Sequence, residues 1–89
     1  MPEITLTINN KVGLHARPAS IFVREASKFK SVIKVRNGDR EANAKSILSV
    51  LTLGADQGTV ITLNAEGEDA EQALQALQAL HATNFGESE

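Results

Sequence analysis

The sequence predicts an α+β domain of two layers, with helices covering one face of a single sheet. Three observations carry this. The chain has 89 residues, enough for one domain and not two. Segments with a period of two in their apolar residues alternate with segments of helical period. Two of the strand segments are joined by Asn37-Gly38, a pair that tolerates the positive φ of a tight hairpin turn. The resulting order is β-α-β-β-α-β-α, and the adjacent strands imply antiparallel pairing.

Residues 3–8, Glu-Ile-Thr-Leu-Thr-Ile, alternate strictly and place Ile4, Leu6 and Ile8 on one face of a strand. A loop over 9–14 follows. A helix is expected from about 16 to 28, where Ala19, Phe22, Val23, Ala26 and Phe29 recur at helical spacing. Residues 32–36 form a second strand, with Ile33 and Val35 opposite in face to Val32 and Lys34. Residues 40–43 give a short third strand. Residues 46–53 suit a short helix stopped by Gly54. A turn at Gln57-Gly58 leads to a fourth strand over 59–65. A last helix runs from Asp69 to about 83, with Asp69 and Gln72 as a capping box and Ala73, Leu74, Leu77 and Leu80 as its apolar stripe. The domain spans 1–89, and the polar stretch 84–89 reads as a loose tail.

Composition narrows the function. Hydrophobic residues make up 42% and charged residues 22%, ordinary values for a globular domain. The net charge of −2 argues against nucleic acid as the main partner, since that needs a strong basic face. The charge is uneven, though: all nine Lys and Arg lie within residues 11–45, so one region can meet an acidic protein or an anion. No Cys is present, which excludes disulfides and thiolate metal sites. No apolar stretch reaches the roughly 18 residues of a membrane span, and the N-terminal residues lack a charged leader with an apolar run. A cytoplasmic location is expected. No ligand-spacing motif suggests a metal, no Gly-rich loop suggests a nucleotide, and no cofactor is expected.

The chemistry concentrates in Gly13-Leu14-His15-Ala16-Arg17-Pro18-Ala19. His15 stands at a helix start, where Pro18 is tolerated because first-turn amides have no helical acceptor. The unpaired amides of Ala16 and Arg17, with the helix dipole, make an anion site. Arg17 adds a permanently charged donor fork suited to phosphate. A nucleophilic imidazole, two backbone donors and a guanidinium therefore meet at one point. That combination suits phosphoryl transfer, whose transition state spreads negative charge over its oxygens. His81, near the end of the last helix, has no such company and reads as a surface residue or a helix C-terminal charge partner.

This segment resembles the phosphorylation-site signature of the HPr family, the small phosphocarriers of the bacterial phosphoenolpyruvate-dependent phosphotransferase system. The stretch from Ala44 to Gly54 resembles the family's second signature, around a regulatory serine. Gln57–Val60 and Ala65–Ala70 also read as family sequence, and the likeness runs in register from about residue 4 to 80. The resemblance implies an open-faced β-sandwich, a four-stranded antiparallel sheet with three helices on one face. It implies that His15 accepts a phosphoryl group on Nδ1 from phosphorylated enzyme I and passes it to enzyme IIA domains for sugar uptake. Arg17 would stabilise the phosphohistidine and the transfer. The protein would then be a carrier, modified and restored each cycle, and not an enzyme.

Ser46 stands where the family carries its regulatory serine, the substrate of an HPr kinase/phosphorylase in bacteria that have one. Serine is also a good N-cap, and the two roles are compatible. Ile47, Leu48 and Leu51 exceed what a short helix's core needs, and the family's partners dock there, a transcriptional regulator among them. Ser20 and Arg24 on the first helix are further docking candidates. Ser20 and Ser27 depart from common family choices, which bears on partner preference and leaves His15 and Arg17 untouched. Two alternatives carry other partners or chemistry: a nitrogen-related phosphotransfer branch, and a docking module that works through the Ser46 helix without His15. A monomer is expected, because such a docking face is used transiently.

Overall fold

A computed structural model describes residues 2–86. It contains β1 (Glu3–Thr7), α1 (Ala16–Ala26), β2 (Val32–Asn37), β3 (Arg40–Asn43), α2 (Ile47–Leu51), β4 (Val60–Glu66) and α3 (Ala70–Ala82), followed by a 3-10 turn over Asn84–Gly86. The order matches that read from the alternation of periods. The four strands form one antiparallel sheet in the order β1-β4-β2-β3. β4 slots between β1 and β2, which therefore run parallel without touching. This is a split βαβ arrangement closed by the β2–β3 hairpin.

Register puts one face of the sheet inside. Leu6 pairs with Ile61, Val35 with both Leu63 and Ala42, and Ile33 with Ala65. All of these are buried, together with Ala19, Phe22 and Ala26 of α1, Val50 of α2, and Ala70, Ala73, Leu74 and Leu77 of α3. The three helices thus share one face of the sheet. The other face carries Thr5, Thr62, Asn64, Lys34, Arg36 and Glu41, so the sandwich is open as expected. One ion pair crosses this open face, between Lys34 Nζ and Glu41 Oε1 at 3.8 Å.

The tail expectation fails at its start. Phe85 is fully buried and meets Phe22 edge to face, with ring centroids 5.9 Å apart. His81 packs edge-on against Phe85, and its Nε2–H donates to the Thr7 carbonyl. Burying a phenylalanine is worth about 2–3 kcal/mol, which offsets much of the entropy lost in ordering the residues beside it. A single aromatic in a polar stretch carries no periodicity, so pattern reading missed it. Residues 87–89 of the expected tail lie outside the described residues.

The capping box is also corrected. The Asp69 side chain makes no cap bond to α3. It reaches instead to the α1–β2 connection, accepting from Lys30 N–H at 2.9 Å, Ser31 N–H at 2.9 Å and Ser31 Oγ at 2.5 Å. The Ser31 hydroxyl, then the backbone amides, hold its carboxyl at about 2, below the ordinary 3.8. A carboxyl held below its unfolded value stabilises the fold above that value and loses the contribution as pH falls through the folded one. The urea unfolding midpoint should therefore drop between about pH 4 and pH 2 in the wild type. Asp69→Asn should flatten that limb, and an unchanged slope in the variant would refute the assignment.

Candidate functional site

The segment before α1 is clasped to the turn before β4. Ile8 N–H donates to the Thr59 carbonyl and Gly58 N–H to the Ile8 carbonyl, both at 2.8 Å. Gln57 Nε2 donates to the Asn9 carbonyl at 3.0 Å, and Leu14 N–H to the Ala55 carbonyl at 2.7 Å. Inside the loop, buried Asn10 Nδ2 donates to the Gly13 carbonyl at 2.7 Å. Gly13 adopts φ +65, and a Cβ there would lie 2.2 Å from the Ala55 carbonyl oxygen. Only glycine permits so close an approach of the two backbones. With Leu14 fully buried beneath it, His15 is delivered to the surface at a fixed place.

His15 is the N-cap residue of α1 by backbone, but its ring makes no capping bond. Its Nε2 lies 2.7 Å from Asp56 Oδ1, with the side chains 39% and 76% exposed. A carboxylate can only accept, so Nε2 carries a hydrogen, and in the neutral ring Nδ1 keeps its lone pair. Among the described residues, Nδ1 has no hydrogen-bond partner.

Ala16 differs from expectation. Its φ is +49, a left-handed conformation that costs an alanine about 1–2 kcal/mol. A left-handed residue followed by helical ones turns successive N–H groups toward one side, which makes an anion-binding concavity. The helix start at which the sequence leads one to expect an anion site thus carries a backbone feature that no residue type announces. Pro18 and Ala19 are buried and anchor the first turn, while Arg17 is exposed and forms no hydrogen bond or ion pair among the described residues. Its guanidinium is uncommitted, available to an incoming anion.

The other candidates lie on neighbouring surfaces. Ser20 and Arg24 are exposed on α1. α2 packs against α1, with Ile47 41%, Leu48 73% and Leu51 37% exposed, while Val50 alone of its residues is buried. Ser46 caps α2, its Oγ accepting from Ser49 N–H at 3.4 Å. No hydrogen bond joins Ser46 to His15. The structure therefore brings His15, Ala16 and Arg17 together by adjacency and adds Asp56, which sequence reading missed. It keeps Ser46 and its apolar helix on a separate element. Asp56 stands 41 residues beyond His15 in a turn noticed only for its Gly punctuation, and no spacing rule links the two.

Comparison with known proteins shows the family and the fold. Residues 2–83 match the family model described as the PTS HPr component phosphorylation site. The chain is 46% identical over 70 residues to the phosphocarrier protein HPr of Mycoplasma capricolum, covering 79% of each chain. The crystal structure of HPr from Thermoanaerobacter tengcongensis superposes with a TM-score of 0.95 at 50% identity, over 100% of both chains. The Crh protein of Bacillus subtilis, solved as a swapped dimer, superposes with a TM-score of 0.74 at 38% identity, over 94% of this chain and 97% of that one.

Proposed function

The chain belongs to the HPr family, the phosphocarriers of the phosphotransferase system, and from that premise we propose that His15 is the residue that carries the phosphoryl group. It takes the group on Nδ1 from phosphorylated enzyme I, whose own supply is phosphoenolpyruvate, and hands it to enzyme IIA domains for sugar uptake. The observation that carries this reading is the state of His15. Its ring is accessible, Nε2 is engaged with Asp56, and Nδ1 is free beside the left-handed Ala16. Arg17 neutralises the phosphoryl oxygens as they arrive, and the Ala16 and Arg17 amides receive them. Positioning and positive potential are most of what phosphoryl transfer asks of a protein. The chain acts as a carrier and not as an enzyme, because each turnover modifies and restores its own side chain. It works in the cytoplasm as a monomer, meeting its partners in passing. No helix among the described residues is long and apolar enough to cross a membrane.

Ser46 is the second modification site in this proposal. It is partly exposed at the start of α2, and a phosphate there sits favourably at a helix N-terminus. The same charge lies next to Ile47, Leu48 and Leu51, whose apolar surface, with Ser20 and Arg24, is the docking face. Negative charge there weakens apolar docking and so regulates the carrier. An HPr kinase/phosphorylase and a transcriptional regulator are the partners this site implies.

The test is transfer of labelled phosphoryl from phosphoenolpyruvate through purified enzyme I to the wild-type chain. The expected result is a single acid-labile label, with phosphorus-to-nitrogen coupling in NMR placing it on His15 Nδ1. An active enzyme I that leaves the chain unlabelled would sink the carrier reading.

A further inference from the structure

Two backbone segments far apart in sequence are locked together at His15, and the lock also places Asp56. Asp56 N–H donates to the Gly54 carbonyl and Thr59 N–H to the Asp56 carbonyl, both at 3.0 Å, which fixes the turn. Leu14 N–H bonds the Ala55 carbonyl, and the Gly13 Cα approaches so closely that a Cβ would lie 2.7 Å from Asp56 Cα. The residues on either side of the clasp, His15 and Asp56, are thereby set opposite each other, and their 2.7 Å contact follows. The carboxylate meets the imidazole at Nε2, the edge away from Nδ1.

We propose that Asp56 is a positioning residue for His15, holding the hydrogen on Nε2 through the whole transfer cycle so that Nδ1 alone gives and takes the phosphoryl group. The inference rests on the phosphohistidine reading above. During uptake the Nδ1 lone pair forms the bond to phosphorus while the donor's own bond to phosphorus breaks, and the donor keeps that electron pair. No proton leaves His15. The ring becomes cationic, with its charge shared between both nitrogens, and Nε2–H faces a carboxylate. During hand-off the phosphorus–Nδ1 bond breaks and its electron pair returns to Nδ1, restoring the neutral ring with Nε2–H still in place. A ring that kept no hydrogen on Nε2 would be neutral in the phosphorylated state and a poorer leaving group. Asp56 opposes that loss by a charge-assisted hydrogen bond, whose strength is limited by its exposure.

The experiment uses the full chain with active enzyme I, labelled phosphoenolpyruvate and an enzyme IIA acceptor, comparing wild type with Asp56→Ala, Asp56→Asn and Asp56→Glu. Proton–nitrogen NMR of the unphosphorylated chain reads the His15 ring directly. In the wild type, an Nε2–H signal slowed in exchange with water is expected, with Nδ1 unprotonated. Asp56→Ala should lose that signal to exchange and slow hand-off by about three- to tenfold, with thermal stability unchanged because the side chain is exposed. Asp56→Glu should recover most of the rate, and Asp56→Asn should recover little, since it restores a carbonyl without the charge. An Asp56→Ala chain that hands off at the wild-type rate, or a wild-type ring whose Nε2–H exchanges freely, overturns the proposal. A wild type that takes no label from an active enzyme I overturns the carrier reading instead, and the ring signal then still reports whether Asp56 holds Nε2.

Discussion

His15→Ala should take up no label from phosphoenolpyruvate through enzyme I, while unfolding at nearly the wild-type urea concentration. The two halves of this expectation have separate causes. The side chain is 39% exposed and contributes no core packing, and its one polar contact is to a residue 76% exposed, so removing it should change stability by less than about 1 kcal/mol. Uptake, by contrast, needs a nitrogen nucleophile at that point, and alanine supplies none. The chain has one other histidine, His81, whose Nε2 is engaged by the Thr7 carbonyl and whose ring packs on Phe85. His81→Ala should therefore keep full labelling, at some cost in stability. Label that persisted on His15→Ala would place the acceptor on another residue and overturn the assignment to His15.

Gly13→Ala should be the most destabilising single-atom addition at the site. Two penalties coincide there. The residue sits at φ +65, which costs an L-residue about 1–2 kcal/mol. The new Cβ would also lie 2.2 Å from the Ala55 carbonyl oxygen and 2.7 Å from Asp56 Cα, both backbone atoms that cannot turn aside. Overpacking of this kind costs about 1–3 kcal/mol, so a total near 3 kcal/mol is expected out of a stability of roughly 5–15. For a domain this size that corresponds to a fall in Tm of about 12–24 °C. Gly38→Ala is the matched control: its φ is +61, but nothing lies within 4 Å of the added Cβ. It should show the conformational penalty alone. Equal losses for the two variants would mean that the clasp yields easily. Because the clasp also sets His15 against Asp56, Gly13→Ala should slow labelling even at temperatures where the chain remains folded.

What the sequence discloses of this site follows from how its parts are distributed. His15, Ala16 and Arg17 are consecutive, so one motif shows them together, and helix-end physics says what such a cluster does. The strands and helices were equally legible, because each buries one face and the burial leaves a period in the apolar residues. Asp56 was not legible, since its relation to His15 exists only through the backbone bond between Leu14 and Ala55. The left-handed Ala16 was hidden for another reason: alanine is not a residue that marks positive φ. Asp69 was misassigned because an acid before a helix ordinarily caps it, and here the amides of Lys30 and Ser31 compete successfully for the carboxylate. Phe85 was missed because a lone aromatic after a helix has no pattern to belong to.

The sheet order has a kinetic consequence. The β2–β3 hairpin closes over a turn of a few residues and can form within about 1–10 μs. β1, however, has its only strand partner among the described residues in β4, with Glu3 set against Asn64 and Thr7 against Val60. That pairing must close most of the chain into a loop before any contact repays the lost entropy, which makes it a late event in folding. The clasp between Gly13 and Ala55 lies just beyond the same pairing, so it forms on the same late step. His15 then gains its geometry only when the last strand docks, and a chain stalled one step earlier has a collapsed hairpin but no acceptor.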